Sequence, residues 1–386
     1  MADGTPAFTL STHRSITEIG ADAWDALAGR ENPFIRHAFL EVLEESGSVG
    51  GRSGWQPLHV ALRDGAGGLA GVAPAYVKSH SYGEYVFDQG WAQALERAGG
   101  EYYPKLQVAV PFTPVPGPRL LLREDVSAAA LGAGLVELAR ALDLSSVHVT
   151  FCGAAEARAL VAAGWLAREG MQFHWENRGY ADFEAFLAAL SSRKRKAIRR
   201  ERAEAGAGLE IRALRGPEIG AREWEAFWGF YRATVDRKWG GAYLTRRFFP
   251  LLGERLGERV VLMMAWQGRE PVAGALNLMG ADTLYGRNWG CKGDWPFLHF
   301  ELCYYRAIDF AIAHGLARVE AGAQGMHKIQ RGYLPQPTHS AHWIAHPGLA
   351  RAVAGFLAAE RAEVAAERAE LATLSPFRRA GAGTEG

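Results

Sequence analysis

Arg259 to Met279 reads RVVLMMAWQGREPVAGALNLM, and this stretch sets the fold class. Arg259 to Trp266 is a run of β-favouring, apolar residues and predicts a strand. Gln267 to Glu270 supplies a glycine-bearing turn, and Pro271 to Met279 returns as a second strand. Further on, Phe297 to His314 has helical spacing, and Leu316 to Glu320 leads into a short strand. Strands and helices alternating in this way predict the α/β (α+β) class, with mixed sheets flanked by helices.

The first half follows the same plan. Gln56 to Arg63 reads as a strand, Asp64 to Gly68 as a turn and Leu69 to Lys78 as a strand. Glu124 to Leu142 reads as a helix and Val147 to Phe151 as a strand. Two local matches tie the halves together. Leu69 to Ala73 (LAGVA) resembles Val272 to Leu276 (VAGAL), and Leu144 to Val147 (LSSV) resembles Leu316 to Val319 (LARV). They predict a duplication, with one lobe over 1–170 and the other over 171–386. The first lobe carries about 31 more residues between these anchors. The excess falls at His80 to Phe112, an aromatic-rich stretch expected to be a binding loop or a packing loop. Gly348 to Leu374 predicts a closing helix.

Composition narrows the function. With 48% hydrophobic and 22% charged residues, the chain has ample material for a large core. A net charge of +1 leaves no global field for nucleic acid or an anionic surface, so electrostatic work must be local. Three cysteines without a CxxC pair fit a reducing compartment. The first residues lack a signal-peptide pattern, and no run reaches the ~20 apolar residues of a membrane span. The expectation is a cytoplasmic protein.

Four clusters carry candidate chemistry. Arg193-Lys194-Arg195-Lys196, with Arg199, Arg200 and Arg202, follows the helical run Asp182 to Leu190. On a helix these cations gather on adjacent faces, suited to phosphates of a coenzyme, a nucleotide or tRNA, or else simply solvated. Leu284 to Gly293 (LYGRNWGCKG) reads as a loop between strand and helix, where Arg287 and Gly290 would cradle a pyrophosphate; a plain turn is the other reading. In His299 to Tyr305, Glu301 and Tyr305 stand four apart and would face together as a proton relay and an oxyanion donor. The fourth cluster is Glu320 to Lys328 (EAGAQGMHK) with Arg331-Gly332-Tyr333, placing polar groups on a glycine-rich loop. His339, His342 and His346 lack a nearby acid and are not read as metal ligands, and Cys303 is read as structural.

Taken together, these motifs resemble the FemAB-like family of N-acyltransferases (peptidoglycan biosynthesis/recognition type) in the GNAT superfamily. The residues carrying the resemblance run from Asn32-Pro33-Phe34 and His37-Ala38-Phe39-Leu40 to Arg331-Gly332-Tyr333. They include His80 to Phe87, Tyr102-Tyr103-Pro104-Lys105, Leu190 to Lys196, Lys238-Trp239-Gly240 and Leu298 to Glu301. Met326 stands where the family pattern has a glutamate and is given no role. The resemblance implies tandem GNAT-like lobes and N-acyl transfer and leaves the substrate open; the leading reading is direct transfer from acyl-CoA, as co-substrate, to a primary amine, with no tightly bound cofactor.

On that reading His327, Glu301, Tyr305 and Glu320 are catalytic. Arg193, Arg195, Lys196, Arg199, Arg287 and Gly290 hold the donor. His80, Tyr82, Glu84, Tyr85, Tyr103, Lys105, Lys238, Trp239, Gln324, Lys328 and Arg331 meet the substrate. Two rivals remain open at this point: an aminoacyl-tRNA-dependent ligase, against which the low net charge counts, and a non-catalytic binding protein on the same fold.

Overall fold

A computed structural model describes residues 8–238, 241–322 and 325–378. The chain forms two compact units. The first comprises Met1–Gly170, Tyr243–Phe248 and Pro337–Val364; the second comprises Met171–Ala242, Phe249–Gln336 and Ala365–Gly386.

In the second unit, strands Val260–Gln267, Glu270–Met279 and Thr283–Cys291 form an antiparallel meander, edged by Glu210–Arg215. The chain then turns through a helical segment and returns as Arg318–Glu320, parallel to Thr283–Cys291. His174 to Glu176 pair antiparallel with that strand. The buried apolar residues of the meander, such as Met263, Ala265 and Ala273, pack with Leu302, Tyr305 and Ile308 of the helical segment. Burial of this kind, at about 25 cal/mol per Å² of apolar area, is what opposes the chain's conformational entropy.

The first unit repeats the order of elements. Strand Thr9–His13 is followed by helices Ala21–Ala28 and His37–Glu45, then a hairpin. Helix Ala128–Ala141 leads into strand Ser146–Cys152, which runs parallel to Lys105–Val108. The two sequence matches occupy corresponding places: LAGVA and VAGAL in the second hairpin strand, LSSV and LARV at the entry to the strand after the helix. The expected tandem plan therefore stands.

The hairpin strands of the first unit differ from expectation in one respect. Each splits in two: Trp55–Pro57 with His59–Arg63, and Leu69–Ala73 with Ala75–Lys78. Pro74 has no N–H to give to a ladder, so the chain changes sheets there. Leu69–Ala73 pairs with His59–Arg63 in a four-stranded sheet, whereas Ala75–Lys78 pairs with Lys105–Val108 and Trp55–Pro57.

The stretch His80 to Phe112, expected to be irregular, contains helix Gln89–Arg97 and strand Lys105–Val108. The second unit passes between its corresponding strands in a tight turn through Gly280. The first unit expands that hairpin tip into an ordered substructure.

Candidate active site

The second unit brings its candidates together around a short 3-10 turn, Met326–Arg331. Gly325 (φ 110°) and Gly332 (φ 88°) bracket the turn in conformations that favour glycine. His327 Nε2 is 3.0 Å from the Tyr304 hydroxyl, which fixes the ring against a buried phenol. His327 is largely exposed, yet burial of part of its ring, then the charges of Arg331 and Lys328, hold its pKa below the usual histidine value. At neutral pH it is an unprotonated imidazole with an edge open to solvent, the form a general base requires.

Lys328 is 3% exposed. Its ammonium donates to the main-chain oxygens of Ala321 (2.6 Å) and Gly322 (2.9 Å), so it braces the glycine-bearing loop. Burial pushes its pKa down to about 8. Arg331 donates through Nη1 to the His327 carbonyl oxygen and through Nη2 to Glu201, each at 2.8 Å, and stacks on Phe300. Both cations are expected from the sequence to touch substrate; both are instead buried supports of the turn.

Tyr304 reaches His327 because the helical segment is not a plain α-helix. Leu298–Phe300 passes into a π-helical turn, Glu301–Tyr305, before Arg306–Ala313 resumes α geometry. The wider turn shifts the facing of every side chain, as π turns at functional sites commonly do. It corrects the expected Glu301–Tyr305 pair. Glu301 is 2% exposed and receives Arg202 (Nη2, 3.0 Å) and Arg306 (Nε, 2.8 Å), a closed ion-pair cluster rather than a proton relay. Tyr305 is fully buried and donates to Glu201, so it is no oxyanion donor. Glu320 is buried in its strand, paired in register with His174 and Tyr285, and its carboxylate lies 3.9 Å from His174 Nδ1. Burial lowers the His174 pKa to about 3, leaving that ring neutral.

The basic run forms the helix Ser192–Ala205. Arg193, Lys196 and Arg200 are exposed, and Arg195 is half-buried. Arg199 pairs with Glu184 on the exposed surface, whereas Arg202 pairs with Glu301 and Asp309 in a part-buried cluster that serves the fold. The helix also grips the 3-10 turn, through Lys194 to Gln330 (2.8 Å) and Glu201 to Arg331.

The Arg287–Gly290 segment is not a loop. It lies within strand Thr283–Cys291, where Asn288 opposes Leu276 and Gly290 opposes Gly274. A Cβ on Gly290 would overlap the Phe230 carbonyl oxygen, so the glycine serves close packing of backbone on strand rather than a phosphate cradle. The helix that follows begins at Leu298 behind Pro296 and a left-handed Phe297 (φ 58°).

The first unit gathers a second group. Lys105 is fully buried and donates to Ser81 (2.8 Å), Glu84 (2.7 Å) and Asp88 (2.5 Å). Burial opposes its charge, but the two carboxylates outweigh burial and raise its pKa. Burial raises Glu84 to about 7 against the pull of Lys105, and lowers Lys78 to about 7 against the pull of Glu84. Asp88 also meets Tyr102, whose hydroxyl reaches His148; His148 in turn bonds His342 between Nδ1 atoms at 2.7 Å. Glu84 and Lys105, expected to meet the substrate, are thus buried and paired with each other, and anchor the loop. Tyr82 (66% exposed) and Tyr85 (42%) do project to solvent, with Tyr85 held at φ 59°. His80 Nδ1 accepts the Tyr82 N–H, and the Tyr103 hydroxyl meets Ser81.

Trp239 and Gln324 lie outside the described residues, and of Lys238 only the backbone is described. Sequence reasoning misses Tyr304 and Glu201. Tyr304 is the immediate neighbour of Tyr305, and only the π turn decides which of the two meets His327. Glu201 sits in the basic run, where its opposite sign is the available signal. Among the described residues, no helix is long and apolar enough to cross a membrane.

Comparison with known proteins agrees with this architecture. FemX shares the fold at 12% identity and TM-score 0.53, over 90% of this chain and 100% of its own. The C-terminal domain of a putative lysylphosphatidylglycerol synthetase from Agrobacterium fabrum aligns at 9% identity and TM-score 0.54, covering 89% and 97%. L-PGS from Bacillus licheniformis aligns at 10% identity and TM-score 0.51, covering 91% and 98%. No curated protein matches the sequence. Family and fold together support a transferase. The family described as FemAB_like, peptidoglycan biosynthesis/recognition, matches residues 15–379, and the chain belongs to it.

Proposed function

We propose that the protein transfers an aminoacyl group from aminoacyl-tRNA to a primary amine of a peptidoglycan-type precursor, in the cytoplasm. The observation that carries this reading is the grip of the basic helix on the turn bearing His327. Exposed Arg193, Lys196 and Arg200 offer a polyanion-binding face on the helix that holds the proton acceptor in place. A low net charge is no obstacle to a local cationic face. Acyl-CoA, the donor of the leading sequence reading, finds less support, since Arg287 and Gly290 are strand residues.

In the proposed step the acceptor nitrogen attacks the ester carbonyl of the donor. His327 accepts the proton lost by nitrogen as the C–N bond forms. The ester C–O bond breaks, and protonated His327 gives its proton to the departing ribose oxygen, so the tRNA leaves with a free hydroxyl. Partial burial and then the positive charges of Arg331 and Lys328 favour the neutral form of His327 before attack, and the same charges favour negative charge developing nearby. Equilibrium binding of charged tRNA and of acyl-CoA, measured side by side, tests the donor. The reading requires salt-sensitive binding of tRNA; binding of acyl-CoA alone would refute it.

A further inference from the structure

Arg331 is tied into two elements at once. Its Nη2 meets Glu201 of helix Ser192–Ala205, its Nη1 meets the main-chain oxygen of His327, and its guanidinium carbon lies 3.5 Å from the Phe300 ring centre. Glu201 also accepts the Tyr305 hydroxyl from the π turn. Lys194 to Gln330 forms a second tie between the same helix and the same turn.

We infer that Arg331 is a positioning residue: it clamps the turn of His327 to the basic helix, so the anion-binding face and the proton acceptor form one mechanical piece. This rests on the reading of His327 as the base.

Three features argue for a specific role over general packing. The residue is 6% exposed, and the two forks of its guanidinium serve different elements; a lysine, with one nitrogen, cannot reproduce that geometry. The stacked Phe300 ring lies 5.5 Å from the His327 ring, so Arg331 sets the aromatic wall beside the imidazole as well as its backbone. The charge of Arg331 also bears on His327 directly. The groups around the imidazole are Tyr304 from the π turn, His299 and Phe300 from the preceding helical turn, and Lys328 and Arg331 from its own turn. Glu201 and Lys194 approach the same turn from the basic helix.

The test is a titration of the His327 ring by NMR in the full-length protein, assigned with His327→Gln, comparing wild type with Arg331→Gln and Arg331→Lys. Removing the charge in Arg331→Gln should raise the titration midpoint. Arg331→Lys should leave it near that of wild type. Both variants should lower turnover roughly ten- to a hundredfold through poorer alignment, with tRNA affinity retained. Glu201→Gln, which removes the anchor's charge but keeps its shape, should lower turnover without raising the midpoint and serves if the arginine variants fold poorly. An unmoved midpoint in Arg331→Gln, or turnover that falls only in proportion to the folded fraction, overturns the assignment. If instead His327→Ala retains full turnover, the parent reading of the base is wrong, whereas the titration still reports whether the Arg331 charge bears on the ring.

Discussion

Replacing Lys105 with methionine should destabilise the first unit by about 3–5 kcal/mol. The side chain is fully buried, with its ammonium within 2.8 Å of three oxygens, those of Ser81, Glu84 and Asp88. At an effective dielectric near 20, a charge pair at such a distance is worth on the order of 6 kcal/mol before desolvation is counted. Desolvation offsets much of this, so the intact pair gives little net stability. Its removal is different, because the buried Asp88 then keeps only neutral partners such as Tyr102 and His148, and Glu84 keeps Lys78 at 3.8 Å. Urea unfolding followed by tryptophan fluorescence measures the loss, and Trp55 and Trp91 lie in this unit. The triple variant Lys105→Met with Glu84→Gln and Asp88→Asn should recover most of the stability, since the uncompensated charge is gone. A loss under about 1 kcal/mol in the single variant, or no recovery in the triple, would show that the cluster does not anchor the loop.

Other expectations concern the two units separately. Changing Arg193, Lys196 and Arg200 together to glutamate should weaken tRNA binding and flatten its salt dependence, by about one logarithmic slope unit for each phosphate no longer neutralised. Arg199→Glu should do much less in filter binding, because that side chain is already paired with Glu184. Stability should fall as pH drops from about 6.5 towards 3. His148 and His174 have folded pKa values near 3, so the unfolded chain binds protons in that window and the folded chain does not. His174→Asn should shallow that slope in pH-dependent unfolding. Gly290→Ala should cost roughly 1–3 kcal/mol by pushing strand Thr283–Cys291 away from Phe230, as read by thermal or urea unfolding.

The hairpin of the second unit is legible because apolar strands announce themselves locally: Val260–Gln267 and Glu270–Met279 are nearly continuous buried runs. The order within His80 to Phe112 is not, because it depends on Lys105 meeting Glu84 and Asp88, contacts separated by many residues and carrying no periodicity. Glycines in Leu284 to Gly293 suggest a turn by composition. In the fold they admit a neighbouring backbone, a requirement only tertiary packing reveals. The candidate site is half legible. His327 and the basic helix can be named from their residue types, whereas the π turn at Glu301–Tyr305 has no local signature and brings Tyr304, rather than Glu301 or Tyr305, to His327.

A single-turnover assay can decide whether His327 performs the proposed chemistry. Labelled aminoacyl-tRNA would be mixed with excess wild-type protein or His327→Ala and a precursor bearing a primary amine, and the amide product followed with tRNA affinity measured in parallel. The account predicts transfer by the wild type and a loss of roughly 10²–10⁴-fold in His327→Ala at unchanged tRNA affinity. Equal transfer rates for the two proteins would contradict it.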